Sequence, residues 1–228
     1  MIHVILGFAI LMAILYIVVE MNRDPLTAIV AKALASLSFI MLGVFAFSEN
    51  SGVLHPLVPW VLIGLTSGLI GDLILALRPL RPLVEDKKII VFGIIFFSLG
   101  HFSYLLGLSE IPLMELSWLS FLIGIIVSGV VIYMSYLLKF EMGKARIPAY
   151  VYAFLIFTMI GQSVIFYLSN TEQMFFLLFM IGALLFGLSD LILAPIYFQK
   201  QNKKLLIALN LMTYYGAQIL IAYSLFFL

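Results

Sequence analysis

The sequence predicts an all-α fold: a polytopic membrane protein with eight transmembrane helices in one bundle. Three observations predict it. Hydrophobic residues make up 64% of the 228-residue chain and charged residues only 10%, a balance foreign to water-soluble domains. Apolar segments of spanning length, about 20 residues, recur eight times. The connections between them are too short to hold an extramembrane domain. A lipid-exposed sheet edge would leave backbone groups unsatisfied in hydrocarbon, so the spans are helices and the chain, 1–228, is one transmembrane domain.

The first span is Ile2–Val19. It could be mistaken for a signal peptide, but it lacks a basic n-region and a small-residue cleavage site, so it reads as a retained helix. Asp24-Pro25 breaks the chain before the second span, Pro25–Phe47. His55-Pro56 precedes the third, Leu57–Leu77, and Arg81-Pro82 separates it from the fourth, Lys88–Leu108. Ile111-Pro112 introduces the fifth, Leu113–Leu138, and Ile147-Pro148 marks the break before the sixth, Ile147–Leu168. The seventh and eighth, Gln173–Tyr197 and Leu205–Phe227, flank a lysine-bearing connection.

Basic residues occupy alternate connections. Arg23 lies in the first; Arg78, Arg81, Lys87 and Lys88 in or beside the third; Lys139, Lys144 and Arg146 at the fifth; Lys200, Lys203 and Lys204 at the seventh. The even connections carry Glu49, Glu110 and Glu172 instead. Positive residues stay on the cytoplasmic side, so both termini are expected outside. The exception is Lys32, inside the second helix. With no sorting signal read, the expected location is a bacterial inner membrane.

One string occurs twice. Asp72-Leu73-Ile74-Leu75-Ala76 recurs as Asp190-Leu191-Ile192-Leu193-Ala194, and Lys87-Lys88 precedes Gly100 by the spacing at which Lys203-Lys204 precedes Gly216. Duplication of a four-helix unit explains both matches. The halves, 1–110 and 111–228, would then be parallel repeats. Chance recurrence of short Leu/Ile strings is the plainer alternative.

Ionisable groups at membrane depth are expensive unless paired, hydrated or neutralised, which makes Asp72 and Asp190 candidates for function. Asp72 lies about 9 Å above Arg78, and Asp190 about 15 Å above Lys200, at 1.5 Å per residue. Gly64, Gly68 and Asp72 share a helical stripe, as do Gly182, Phe186 and Asp190. Such stripes admit a close neighbour, so both acids are expected to face protein. Lys32 pairing with an acid to pin helices is the structural alternative, but one lysine cannot neutralise two carboxylates. His101, with Tyr104 on its face, and Gln218, beside Tyr214 or Tyr215, approach the same region. Each also has a plain reading, as a hydrogen-bonded imidazole, interhelical glue or packing.

Several chemistries are excluded or unsupported. The chain has no Cys, which removes disulfides and thiolate chemistry. A net charge of +1 argues against nucleic acid. No HExxH-like spacing supports a metal site, and no GxSxG supports a serine hydrolase. No cofactor is expected.

At these residues the sequence resembles the lysoplasmalogenase family, the YhhN-like membrane proteins. The resemblance rests on Lys32, Gly71-Asp72, Gly100-His101 with Tyr104, Ser189-Asp190 with Ala194, and Tyr214 or Tyr215 with Gln218, in that order across nearly the whole chain. Ala33 follows Lys32 where many members would carry proline. The resemblance implies hydrolysis of the vinyl ether of a lysoplasmalogen to a fatty aldehyde and glycerophosphoethanolamine or glycerophosphocholine. It implies a lysophospholipid partner within membrane lipid, with Asp72 and Asp190 catalytic and Lys32, His101, Tyr104, Tyr214, Tyr215 and Gln218 holding substrate.

Two buried acids suit that reaction. A vinyl ether resists nucleophiles but accepts a proton at its β-carbon, giving an oxocarbenium ion that water captures. One acid must keep its proton and the other its charge, and burial with mutual repulsion separates two carboxyls in that way. Paired carboxylates divide the same labour at glycosidic bonds. The sequence leaves open which Asp is the acid, the head group and the oligomeric state. It also leaves a proton-coupled transporter or a lipid-binding protein as rival readings.

Overall fold

A computed structural model of the protein describes residues 1–22, 25–50, 55–80, 83–111 and 115–228. Eight α-helices follow in order: α1 (Ile2–Asn22), α2 (Pro25–Asn50), α3 (Leu57–Ala76), α4 (Leu83–Ser109), α5 (Trp118–Leu137), α6 (Arg146–Ser169), α7 (Met174–Phe198) and α8 (Lys204–Ser224). Short 3-10 turns at Arg78–Leu80, Gly143–Ala145 and Leu225–Phe227 extend α3, α6 and α8. Among the described residues there is no strand, and eight helices are long and apolar enough to cross a membrane. The architecture is that of a multi-pass integral membrane bundle.

Two helix starts and one break depart from the sequence reading. α4 begins at Leu83, not Lys88. The helix continues through Asp86-Lys87-Lys88 because charged side chains at a helix end reach water while their backbone stays hydrogen-bonded. α5 begins at Trp118, not Leu113. Ser117 caps it, its hydroxyl accepting the Leu119 N–H at 3.2 Å, and the Ser117 N–H donates to Gln162 Oε1 of α6 at 2.9 Å. Pro148 lies in the first turn of α6 and breaks nothing, since an N–H there has no helical partner to lose. Arg23, Asp24, Arg81, Pro82, Pro112 and Leu113 fall outside the described residues.

Sequence neighbours pack as antiparallel pairs: α1 on α2, α3 on α4, α5 on α6 and α7 on α8. α2 crosses to α8, and α4 crosses to α6. Two glycines show what the close pairs require. A Cβ on Gly64 would overlap the Tyr104 ring, and one on Gly182 would meet Ala217 O at 3.0 Å and Ile221 Cγ1 at 2.8 Å. Large apolar side chains such as Phe92, Ile125 and Leu184 cover the outside, while Lys32, Asp72, His101, Gln162 and Gln218 are buried. This is the inverse of a soluble protein, and hydrocarbon demands it.

The basic end of the bundle is stitched together by its connections. The Glu141 N–H donates to Phe198 O at 2.9 Å, and Gln199 Nε2 donates to Leu138 O at 2.7 Å. Lys139 and Lys200 hold left-handed backbone, φ 53° and 55°, just past α5 and α7. The Phe140 N–H reaches back to Ser135 O at 3.0 Å, which satisfies a carbonyl at the end of α5.

Candidate functional site

A cavity of about 820 Å³ runs into the bundle from this basic end. Its inner wall carries Lys32 of α2, Asp72 of α3, Tyr152 of α6, Asp190 of α7 and Tyr214 of α8. Its outer rim carries exposed side chains, among them Lys87, Glu141, Lys200 and Lys204, so the cavity reaches the surface there. Much of the remaining wall is apolar, including Ile90, Ile94, Phe97, Ile156, Phe157 and Leu211. The two acids therefore face one cavity with a largely apolar lining and a polar mouth.

The surroundings of the two carboxylates differ. Asp72 is 2% exposed and fully partnered. Lys32 Nζ lies 3.3 Å from its Oδ1, while Ser36 Oγ and the Tyr214 hydroxyl each donate to its Oδ2 at 2.7 Å. Lys32 is itself 9% exposed, and its ammonium stands 5.8 Å from the Tyr16 ring centre. A buried ammonium and two hydroxyl donors together define a site for a carboxylate anion. Asp190 is half-buried, accessible from the cavity, and receives the Tyr152 hydroxyl at 2.5 Å on Oδ2. Among the described residues no lysine, arginine or histidine forms an ion pair with it.

A second layer supports these groups. The Tyr104 hydroxyl donates to Gln218 Oε1 at 3.0 Å, and Gln218 Nε2 donates to the Tyr214 hydroxyl at 3.2 Å, one step from Asp72. Gly68 leaves the room for Gln218, since a Cβ there would stand 2.5 Å from Nε2. The Tyr215 hydroxyl lies 3.3 Å from Ser36 Oγ. On the other side, His101 Nε2 lies 3.1 Å from the Tyr152 hydroxyl that serves Asp190. The Tyr152 proton is committed to Asp190, so in this arrangement His101 donates from Nε2. His101 Nδ1 is buried with no hydrogen-bond partner among the described residues.

All eight residues singled out from the sequence thus converge, but in two tiers. Asp72, Asp190, Lys32 and Tyr214 line the cavity. His101, Tyr104, Tyr215 and Gln218 stand behind that wall and reach it through hydrogen bonds. Ser36 and Tyr152 complete the site; from sequence Tyr152 read only as a packing residue, and Ser36 had no assigned role. Ser36 is one helical turn from Lys32, a usable signal. The two acids are also held alike. Each receives a hydroxyl from the helix that precedes its own, Ser36 of α2 for Asp72 and Tyr152 of α6 for Asp190. Asp72 is then linked to α8 directly through Tyr214, and Asp190 to α4 through Tyr152 and His101.

Among the described residues no cluster of three or more His, Cys, Asp or Glu side chains is arranged to hold a metal. Chemically the arrangement offers a fixed anion and a second carboxyl group free of countercharge, in a space with apolar walls. The YhhN family model matches residues 27–225 of the chain. No curated protein and no solved structure matches it.

Proposed function

Because the chain belongs to the YhhN family, which is the lysoplasmalogenase family, we propose that it hydrolyses the vinyl ether of a lysoplasmalogen inside this cavity. The observation that carries the reading is the inequality of the two acids. Asp72 is paired with Lys32, whereas among the described residues Asp190 has no ion-pair partner. A vinyl ether needs one of each: a carboxylic acid to protonate carbon and a fixed anion to stabilise the cation that forms.

In this reading Asp190 gives its proton to the β-carbon of the vinyl ether, the π electrons forming the new C–H bond. The ether oxygen shares the positive charge with the α-carbon. The Asp72 carboxylate faces this oxocarbenium ion across a space with apolar walls, where electrostatic stabilisation is stronger than in bulk water. Water attacks the α-carbon and returns a proton to the Asp190 carboxylate, which closes the cycle. The hemiacetal then breaks its bond to the glycerol oxygen, and its hydroxyl proton ends on that oxygen. The products are a fatty aldehyde and glycerophosphoethanolamine or glycerophosphocholine. Tyr152 keeps Asp190 in register and His101 holds Tyr152. Tyr104 and Gln218 hold Tyr214, which with Ser36, Tyr215 and Lys32 fixes Asp72. The chemistry calls for no metal or cofactor.

Purified protein in detergent, given a lysoplasmalogen, should release aldehyde, and release should slow in D₂O because proton transfer to carbon limits the rate. Absence of aldehyde, with acid-driven solute uptake by reconstituted vesicles, would overturn the reading in favour of a transporter.

A further inference from the structure

One constellation lies outside the acid site but on the same cavity. Arg78, in the 3-10 turn after α3, donates from Nε to Asp86 Oδ1 at 2.6 Å and from Nη2 to Asp86 Oδ2 at 2.9 Å. Its guanidinium carbon stands 4.1 Å from the centre of the Tyr197 ring. All three residues line the cavity, and Arg78 is half-buried. Elsewhere along the rim the lysines are exposed, and Lys200 reaches Glu141 only at 4.0 Å. Among the described rim residues, Arg78 is thus a cation with a built orientation. Asp86 grips one edge of the fork, Tyr197 supports its face, and the hydrogen bonds to Asp86 do not use Nη1.

The spacing to the acids gives this orientation a meaning. Asp72 precedes Arg78 by six residues, about 9 Å along the helix at 1.5 Å per residue, and Asp190 precedes Tyr197 by seven, roughly 10 Å on the same basis. In a lysoplasmalogen only the glycerol backbone separates the vinyl ether from the phosphate, a span of similar length. A planar fork is the side chain suited to a phosphodiester. The lining beyond the acids is apolar, as a hydrocarbon chain requires.

We propose that Arg78, held by Asp86 and stacked on Tyr197, anchors the phosphate of a lysophospholipid at the cavity mouth and so sets the depth at which the vinyl ether meets Asp72 and Asp190. The choice of lipid rests on the hydrolase reading; the anion site rests on its own geometry. Lys87 and Lys204 on the rim add positive charge, and Glu20 and Glu141 offer negative charge to an ethanolamine or choline cation. The site selects phosphate-bearing lysolipids over neutral alkenylglycerols and admits them from the basic end of the bundle.

The test uses saturated 1-O-alkyl analogues, which cannot be protonated at carbon and so report binding whether or not the protein is a hydrolase. The whole protein in detergent should bind 1-O-alkyl-glycerophosphoethanolamine at least about tenfold more tightly than 1-O-alkylglycerol, the scale of one charge-assisted bidentate contact. Arg78→Gln should erase that preference while leaving alkylglycerol binding in place. Asp86→Asn leaves the guanidinium a hydrogen-bond partner and removes a competing anion, so it should keep or enlarge the preference. A wild-type protein without the preference, an Arg78→Gln protein that retains it, or an Asp86→Asn protein that loses it would overturn the proposal. Aldehyde release is measured separately, so failure of the hydrolase reading would show there alone.

Discussion

Lys32 Nζ and Asp72 Oδ1 lie 3.3 Å apart inside the bundle, both side chains nearly excluded from solvent. A buried pair of this kind is costly to break from one side, about 3–5 kcal/mol, yet its joint replacement by neutral groups is often tolerated. That asymmetry lets stability and chemistry be separated. Asp72→Asn leaves a bare ammonium and should lower the melting temperature in detergent, while Lys32→Met/Asp72→Asn should recover most of the loss. Neither protein should release aldehyde. A double variant with wild-type rates would remove Asp72 from the mechanism.

Asp190→Asn removes the proposed acid without leaving an unpaired cation. It should fold and melt close to wild type but lose a factor of about 10²–10⁴ in rate, as expected for loss of a general acid. Melting curves and aldehyde assays on one preparation check both halves. Retained activity would sink the two-acid mechanism.

Tyr152→Phe takes away the hydrogen bond to Asp190 and leaves His101 Nε2 without its partner. The expected outcome is a fall in kcat of roughly 10–100-fold, the scale of a hydrogen bond to an ionisable group. His101→Asn should cost less, because His101 acts through Tyr152. Steady-state kinetics on the two variants would show the order; an equal or larger loss in His101→Asn would assign His101 a direct role.

Gly64→Ala places a methyl group where the Tyr104 ring lies and should destabilise by about 1–3 kcal/mol. It should also reduce activity, because Tyr104 steadies Gln218 and Tyr214. Gly7→Ala and Gly129→Ala meet nothing within 4 Å and should leave melting unchanged or improved. Thermal melting of the three variants side by side tests the packing account.

Orientation is open to a direct check. Reporter fusions at Leu228 and within the connection bearing Lys139 and Lys144 should report opposite sides, the latter cytoplasmic. A cytoplasmic Leu228 would reverse the bundle and make the cavity open outward.

By itself the sequence determined the class of the molecule and its polar inventory. Spanning length and short breaker-bearing connections dictate eight helices, because hydrocarbon leaves the backbone no other way to satisfy its N–H and C=O groups. The cost of burying Lys32, Asp72, His101 and Asp190 singled those residues out before any contact was known. Helix starts were less legible: α4 begins upstream of its apolar stretch and α5 at the Ser117 cap, since hydropathy reads side chains and a helix boundary depends on where backbone groups find partners. Tertiary structure alone decided which acid Lys32 neutralises, because both acids sit in the same five-residue string and differ only in what other helices bring to them. It alone set Tyr152 on Asp190, put His101 and Gln218 behind the cavity wall, and oriented Arg78 between Asp86 and Tyr197. The site joins groups up to 179 residues apart in the chain, as Ser36 and Tyr215 are. Periodicity along one helix shows which face a residue occupies, but only packing shows what stands opposite.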